Sequence, residues 1–150
     1  MGVRERLQQR RFQSVAQEAL LSLIVAAEQI EQRSSAVLER HGLTTDQYNV
    51  LRILRGVHPG GHPRCEVARR MIHRAPDVTR MLDRLERQGL IGRGRDPDDR
   101  RMSVATITRD GLALLERLDP ELETMQSEIT APLGEAQLRQ LARLCDALVP

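Results

Sequence analysis

Residues 75–101 constrain this chain more than any other stretch: an amphipathic helical segment stops at a glycine and runs at once into a short, charged hairpin. At about 100° per residue, Val78, Met81, Leu82 and Leu85 fall on one side of that helix. Asp77, Thr79, Arg80, Asp83, Arg84 and Arg87 fall on the other. The first face is expected to pack and the second to stay in water. Pro76 suits a first helical turn, where its missing N–H would be unpaired anyway, and Gly89 suits the position just past the end, where the backbone turns left-handed. Leu90 to Arg95 and Met102 to Ile107 then read as two strands around a turn at Asp96, Pro97, Asp98 and Asp99, with arginines on both arms.

The rest of the chain supports this element. From about Arg10 to Arg40, Phe12, Val15, Ala16, Ala19, Leu20, Leu23, Ala27, Ile30 and Leu38 recur at helical steps. So long a terminal helix with a small-residue stripe needs a partner surface, which a second copy could supply in part. Gly42 ends it. Thr44 with Gln47 three residues on is a capping-box pattern, opening a second helix that runs to about Arg55. Gly56 to Arg64, with Pro59, Gly60, Gly61 and Pro63, reads as turn chemistry. A third helix spans Cys65 to His73, carrying Val67, Ala68, Met71 and Ile72. After the hairpin, Thr108 is the expected N-cap of a helix bearing Leu112, Leu115 and Leu118. Pro120 is expected to kink or restart it, with Asp119 as the new cap. A last helix runs from Glu135 to Val149 on a stripe of Leu138, Leu141, Leu144, Cys145 and Leu148.

Two helices joined by a tight turn, the second with a polar stripe and a hairpin behind it, make a winged helix-turn-helix. The expected fold is therefore mainly α with a small β wing. Residues 43–108 form the reading lobe, and residues 1–42 and 109–150, from both termini, form a helical dimerisation region. Phe12 and Tyr48 lie on apolar stripes and read as core.

Charge is distributed to match. The net charge of +2 says little, but residues 64–101 hold 11 Arg against 7 acids, whereas residues 102–150 hold 4 Arg against 8. The positive charge thus concentrates around the reading element. Every basic residue is Arg, a pattern that suits forked contacts to phosphate or guanine and that coding bias also produces. No run of 18 apolar residues could span a bilayer, and Met1 to Arg11 is too charged for a secretory signal, so a cytoplasmic protein is expected.

Several classes are disfavoured. There is no nucleophile elbow, phosphate-cradling glycine loop or HExxH pattern, so no enzyme and no cofactor are expected. Single-strand binders stack bases on aromatic platforms, which two core aromatics cannot supply. A helical protein-interaction module would use the terminal helices but leave the arginine-bearing hairpin without a role. His58, His62 and Cys65 have the donor types of a zinc site but fall short of the usual four ligands, and read as a turn with incidental histidines. Cys65, near the head of its helix beside Arg64, is the candidate for oxidation sensing; Cys145 reads as core.

Taken together, these residues resemble the MarR family of winged-helix regulators. The resemblance runs through Leu43-Thr44, Gln47 to Leu51, Val67-Ala68, Val78 to Arg80, Leu82 to Glu86, Gly89-Leu90, Asp96-Pro97, Asp99 to Arg101, Ile107-Thr108 and Gly111. It implies a homodimer with two winged lobes, often a repressor released by a small aromatic or phenolic effector and in some branches by thiol oxidation or metal. Ala75-Pro76-Asp77 stands where many members have a serine, which leaves the helix N-terminus to another anchor. An α-helix fits the major groove, where Arg80 and Arg84, one turn apart, are candidates for guanine or phosphate and Thr79 for phosphate or a thymine methyl. Asp77 and Asp83 are expected to orient neighbouring arginines. Arg93, Arg95 and Arg100 are backbone-contact candidates. Asp99 and Arg101 match the family's Asp-x-Arg pattern, which implies a carboxylate holding an arginine at the minor groove. A two-fold dimer would demand a near-palindromic duplex site. No residue is assigned to the effector, and no membrane partner is expected.

Overall fold

A computed structural model describes residues 2–74 and 77–150. Its elements run α1 (Val3–Arg6), α2 (Val15–Glu39), α3 (Thr45–Arg55), β1 (His62–Pro63), α4 (Arg64–Arg70), α5 (Val78–Arg87), β2 (Ile91–Arg95), β3 (Ser103–Ile107), α6 (Arg109–Thr130) and α7 (Glu135–Asp146). The mainly helical architecture with a small wing is as expected.

Local chemistry sets most boundaries. The Thr44 hydroxyl accepts the Gln47 N–H at 3.1 Å, and the Gln47 side chain accepts the Thr44 N–H at 3.0 Å, closing the capping box that starts α3. Thr44→Ala is expected to cost about 1 kcal/mol of stability; an unchanged urea midpoint would contradict it. Gly42 and Gly89 both take positive φ, +73° and +74°, where α2 and α5 end. After α5 the Leu90 N–H reaches back to the Leu85 carbonyl at 3.0 Å, a left-handed helix stop that feeds the chain into β2.

The sheet has the order β1-β3-β2, all antiparallel, with Ile91 opposite Ile107 and Arg95 opposite Ser103. The stripes of α3, α5 and α6 close over it. Val50, Leu51, Leu54, Val67, Leu82, Leu85, Ile91, Leu115 and Leu118 are among the fully buried side chains. Tyr48 and Met81 pack against that core while partly exposed.

Several expectations are corrected. The long helix begins at Val15, not near Arg10, because the Ser14 hydroxyl caps it by accepting the Gln17 N–H at 3.0 Å. Phe12 therefore lies outside the helix, with the Arg4 guanidinium 5.4 Å above its ring. The segment taken for pure turn contains β1, whose residues His62 and Pro63 pair with Ala105 and Val104. Two residues carry no alternation to reveal a strand. The third helix stops at Arg70; Met71 turns to an extended backbone, which keeps its side chain buried and leaves Ile72 71% exposed.

Of the two expected outcomes at Pro120, the restart is overturned: α6 is a single helix through it, with Leu118, Leu122 and Met125 buried on one stripe. Burial of that stripe outweighs the roughly 3 kcal/mol a proline costs inside a helix. Asp119 accordingly caps nothing and instead accepts from Arg55 of α3 at 2.8 Å. Finally, α7 ends at Asp146 rather than Val149 and buries none of its residues within the chain, so Cys145 is half-buried rather than core.

Candidate nucleic-acid interface

The reading surface is built on the α4–α5 pair. Pro76 and Ala75 lie outside the described residues, so the expectation for Pro76 goes with them. The start of α5 is held by Asp77, whose carboxylate accepts the Arg80 N–H at 3.0 Å and also pairs with the Arg80 Nε at 3.1 Å. Asp77 is thus the N-terminal anchor of α5. It also orients an arginine, as expected, since the Arg80 side chain is 88% exposed and directed into solvent from the helix's first turn.

Val78, Leu82 and Leu85 turn inward, so Thr79, Arg80, Asp83, Arg84 and Arg87 are left exposed along the opposite side. Among the described residues Arg84 and Arg87 have no carboxylate partner; the Arg87 Nε donates weakly to the Asp83 main-chain carbonyl at 3.4 Å. Asp83 does orient an arginine, but from the wing: Arg93 of β2 donates to it at 2.8 Å and lies 3.5 Å from Glu86. Arg93, taken from the sequence as a backbone-contact candidate, is therefore engaged with α5. Glu86 carried no signal in the sequence, because its partner is seven residues away across a helix end and a strand.

The wing tip is organised by Asp96, the first residue of the expected turn. The Asp96 carboxylate accepts the N–H groups of Asp98 at 2.7 Å and Asp99 at 3.1 Å, an Asx turn of the kind short acidic side chains favour. Asp99 in turn accepts the Arg101 main-chain N–H at 3.1 Å. The expected carboxylate–arginine link thus exists through the backbone rather than the guanidinium. Arg95, Arg100 and Arg101 remain exposed on the hairpin.

The wing joins the body at Thr108. Its hydroxyl donates to the Gly89 carbonyl at 2.6 Å and accepts the Gly111 N–H at 3.1 Å, so one side chain ties the end of α5 to the start of α6. Away from the reading surface, the Glu121 carboxyl is held below its ordinary range by hydrogen bonds from Arg40 and then His41. Glu66 is likewise lowered by Arg69 and then Arg70. His58 is exposed, His62 sits in β1 and Cys65 is exposed in the first turn of α4. Among the described residues no group of three or more His, Cys, Asp or Glu is placed to hold a metal ion, these included. Among the described residues no helix is long and apolar enough to cross a membrane.

A helix-turn-helix with an exposed arginine stripe, braced by an antiparallel arginine-bearing wing, defines the winged helix-turn-helix class of DNA-binding proteins. The MarR family model matches residues 43–103. A MarR transcription factor from Planctomyces limnophilus is 35% identical, with 91% of this chain and 99% of that one covered and a TM-score of 0.68. MepR of S. aureus, solved in complex with DNA, is 26% identical over 84% of this chain and 93% of its own, with a TM-score of 0.71. The homoprotocatechuate degradative operon repressor of Escherichia coli is 27% identical over 129 residues, 86% of each chain. The chain belongs to the MarR family, whose members are transcription regulators and not enzymes.

Proposed function

We propose that the chain is a homodimeric, sequence-specific regulator that binds a near-palindromic duplex operator in the cytoplasm, as a repressor released by a small aromatic or phenolic effector. The observation that carries this reading is the outward arginine side of α5 beside the arginine-bearing wing, two elements that together fit a major groove and its flanking minor groove. MepR, with a similar fold and 26% identity, was solved on DNA, and the E. coli relative is named as an operon repressor.

Residues 43–108 serve as the reading lobe and residues 1–42 with 109–150 as the dimerisation region. Val15 and Ile24 of α2 are 85% and 62% exposed, and Leu144 of α7 is 58% exposed, apolar surface of the kind a second copy would cover. For the effector, a cleft of about 480 Å³ between α2 and α6 is lined by Val37, Met125 and Pro120, together with two ion pairs, Arg33 with Glu128 and Arg40 with Glu121. A small aromatic or phenolic effector would rest against the apolar part of this lining, beside charged groups already paired with one another.

The test is a titration of the purified chain with duplex from upstream of its own gene and with a scrambled duplex. The upstream duplex is expected to bind more tightly, and affinity to fall about a thousandfold between roughly 50 and 200 mM salt as counterions are released. Equal, salt-insensitive binding of both duplexes would reject the reading.

A further inference from the structure

The recognition helix is poor in net charge. From Asp77 to Arg87 it carries three arginines, Arg80, Arg84 and Arg87, against three acids, Asp77, Asp83 and Glu86. Taken alone such a helix would have little pull on a polyanion, and its own carboxylates would compete with phosphate for its arginines. Asp83 precedes Arg87 by four residues, the spacing at which a helix pairs opposite charges. The Arg87 Nε lies 3.4 Å from the Asp83 main-chain oxygen, which keeps its guanidinium beside that residue.

A side chain from another element competes for these acids. Arg93 lies opposite the buried Ala105 in the sheet, which fixes its base. Its guanidinium spans both acids, Nη2 to Asp83 Oδ1 at 2.8 Å and Nε to Glu86 Oε2 at 3.5 Å. The Arg93 side chain is 28% exposed against 88% for Arg80, while its acid partners Asp83 and Glu86 are 53% and 44% exposed. Asp77 is consumed separately by the helix N-terminus and Arg80. Each of the three acids thereby has an arginine partner.

We propose that Arg93 is a positioning residue for DNA recognition. It acts by sequestering Asp83 and Glu86, so that Arg84 and Arg87 stay available to the duplex, and it makes no DNA contact of its own. The inference rests on the DNA-binding reading above and assigns a mechanism within it.

Three variants test it by fluorescence anisotropy on the upstream duplex, with thermal unfolding of each as a check on the fold. Arg93→Ala is expected to weaken binding about tenfold. Asp83→Asn/Glu86→Gln is expected to bind as well as the unaltered chain or better. In the triple variant the lost affinity should return to within about threefold, because with the acids gone nothing is left to sequester. A triple variant as weak as Arg93→Ala would overturn the proposal and place Arg93 on the DNA. A tenfold loss in the double variant with Arg93 intact would overturn it too, since Asp83 or Glu86 would then be reading. Arg93→Gln, which keeps the stem, runs in parallel, and a loss that tracks melting temperature rather than the carboxylates counts against the proposal. Failure of the unaltered chain to prefer its duplex would instead reject the DNA-binding reading itself.

Discussion

Arg84→Ala is expected to weaken binding to the operator by about 10- to 100-fold, the worth of one forked arginine–guanine contact. The Arg84 side chain stands on the exposed side of α5, without a carboxylate partner among the described residues, between the buried Leu82 and Leu85 that fix the helix beneath it. Removing it leaves no hole in the core and no unpaired acid, so the melting temperature should hold while affinity falls. The loss should be larger on the preferred sequence than on scrambled duplex, since a base contact is being removed. Arg101→Ala should behave differently: on the wing, beyond the Asp96 turn, it is expected to weaken both duplexes by a similar factor and to lower the salt slope by about one. Equal losses from both variants on both duplexes would contradict this division of labour.

Gly111→Ala is expected to destabilise the chain by about 3 kcal/mol, near the upper end of the usual cost of overpacking. A Cβ at Gly111 would come within 2.7 Å of the Ile107 Cγ1 and closer still to the Leu90 carbonyl oxygen. Neither neighbour yields easily. Ile107 is buried in β3, and the Leu90 oxygen already accepts the Thr108 N–H at 3.1 Å. For a chain of this length the loss corresponds to roughly 10 °C in melting temperature. Gly94→Ala is the control: in β2, with nothing within 4 Å of an added Cβ, it should change stability by no more than about 0.5 kcal/mol. Because Gly111 sits where α5, β2 and α6 meet, its variant should also lose DNA affinity in step with folding. Arg84→Ala should not.

What could be read from the sequence was what short-range chemistry decides. Thr44 with Gln47, Gly89 after the amphipathic stripe, and Thr108 before Gly111 each announce a boundary through bonds made within a few residues, and each stands where expected. The inward and outward faces of α5 followed from periodicity for the same reason. The misses depend on partners distant in sequence. β1 exists because β3, more than forty residues on, offers His62 and Pro63 an edge. α6 survives Pro120 because the core holds its buried stripe, and Asp119 is drawn to Arg55 across the fold instead of to a helix end. Within the reading surface the exposed arginines of α5 were legible, whereas the role of Arg93 was not, since nothing local says that a strand residue will reach back over a helix to Asp83 and Glu86.

The most direct test of the central claim, that two outward arginine sides meet successive grooves of one duplex, is a hydroxyl-radical footprint on the DNA upstream of the chain's own gene. Two protected patches centred about one helical turn apart, near-symmetric in sequence, are the expected result. Uniform cleavage at moderate salt, or a single protected patch from a chain that remains monomeric at saturation, would contradict it.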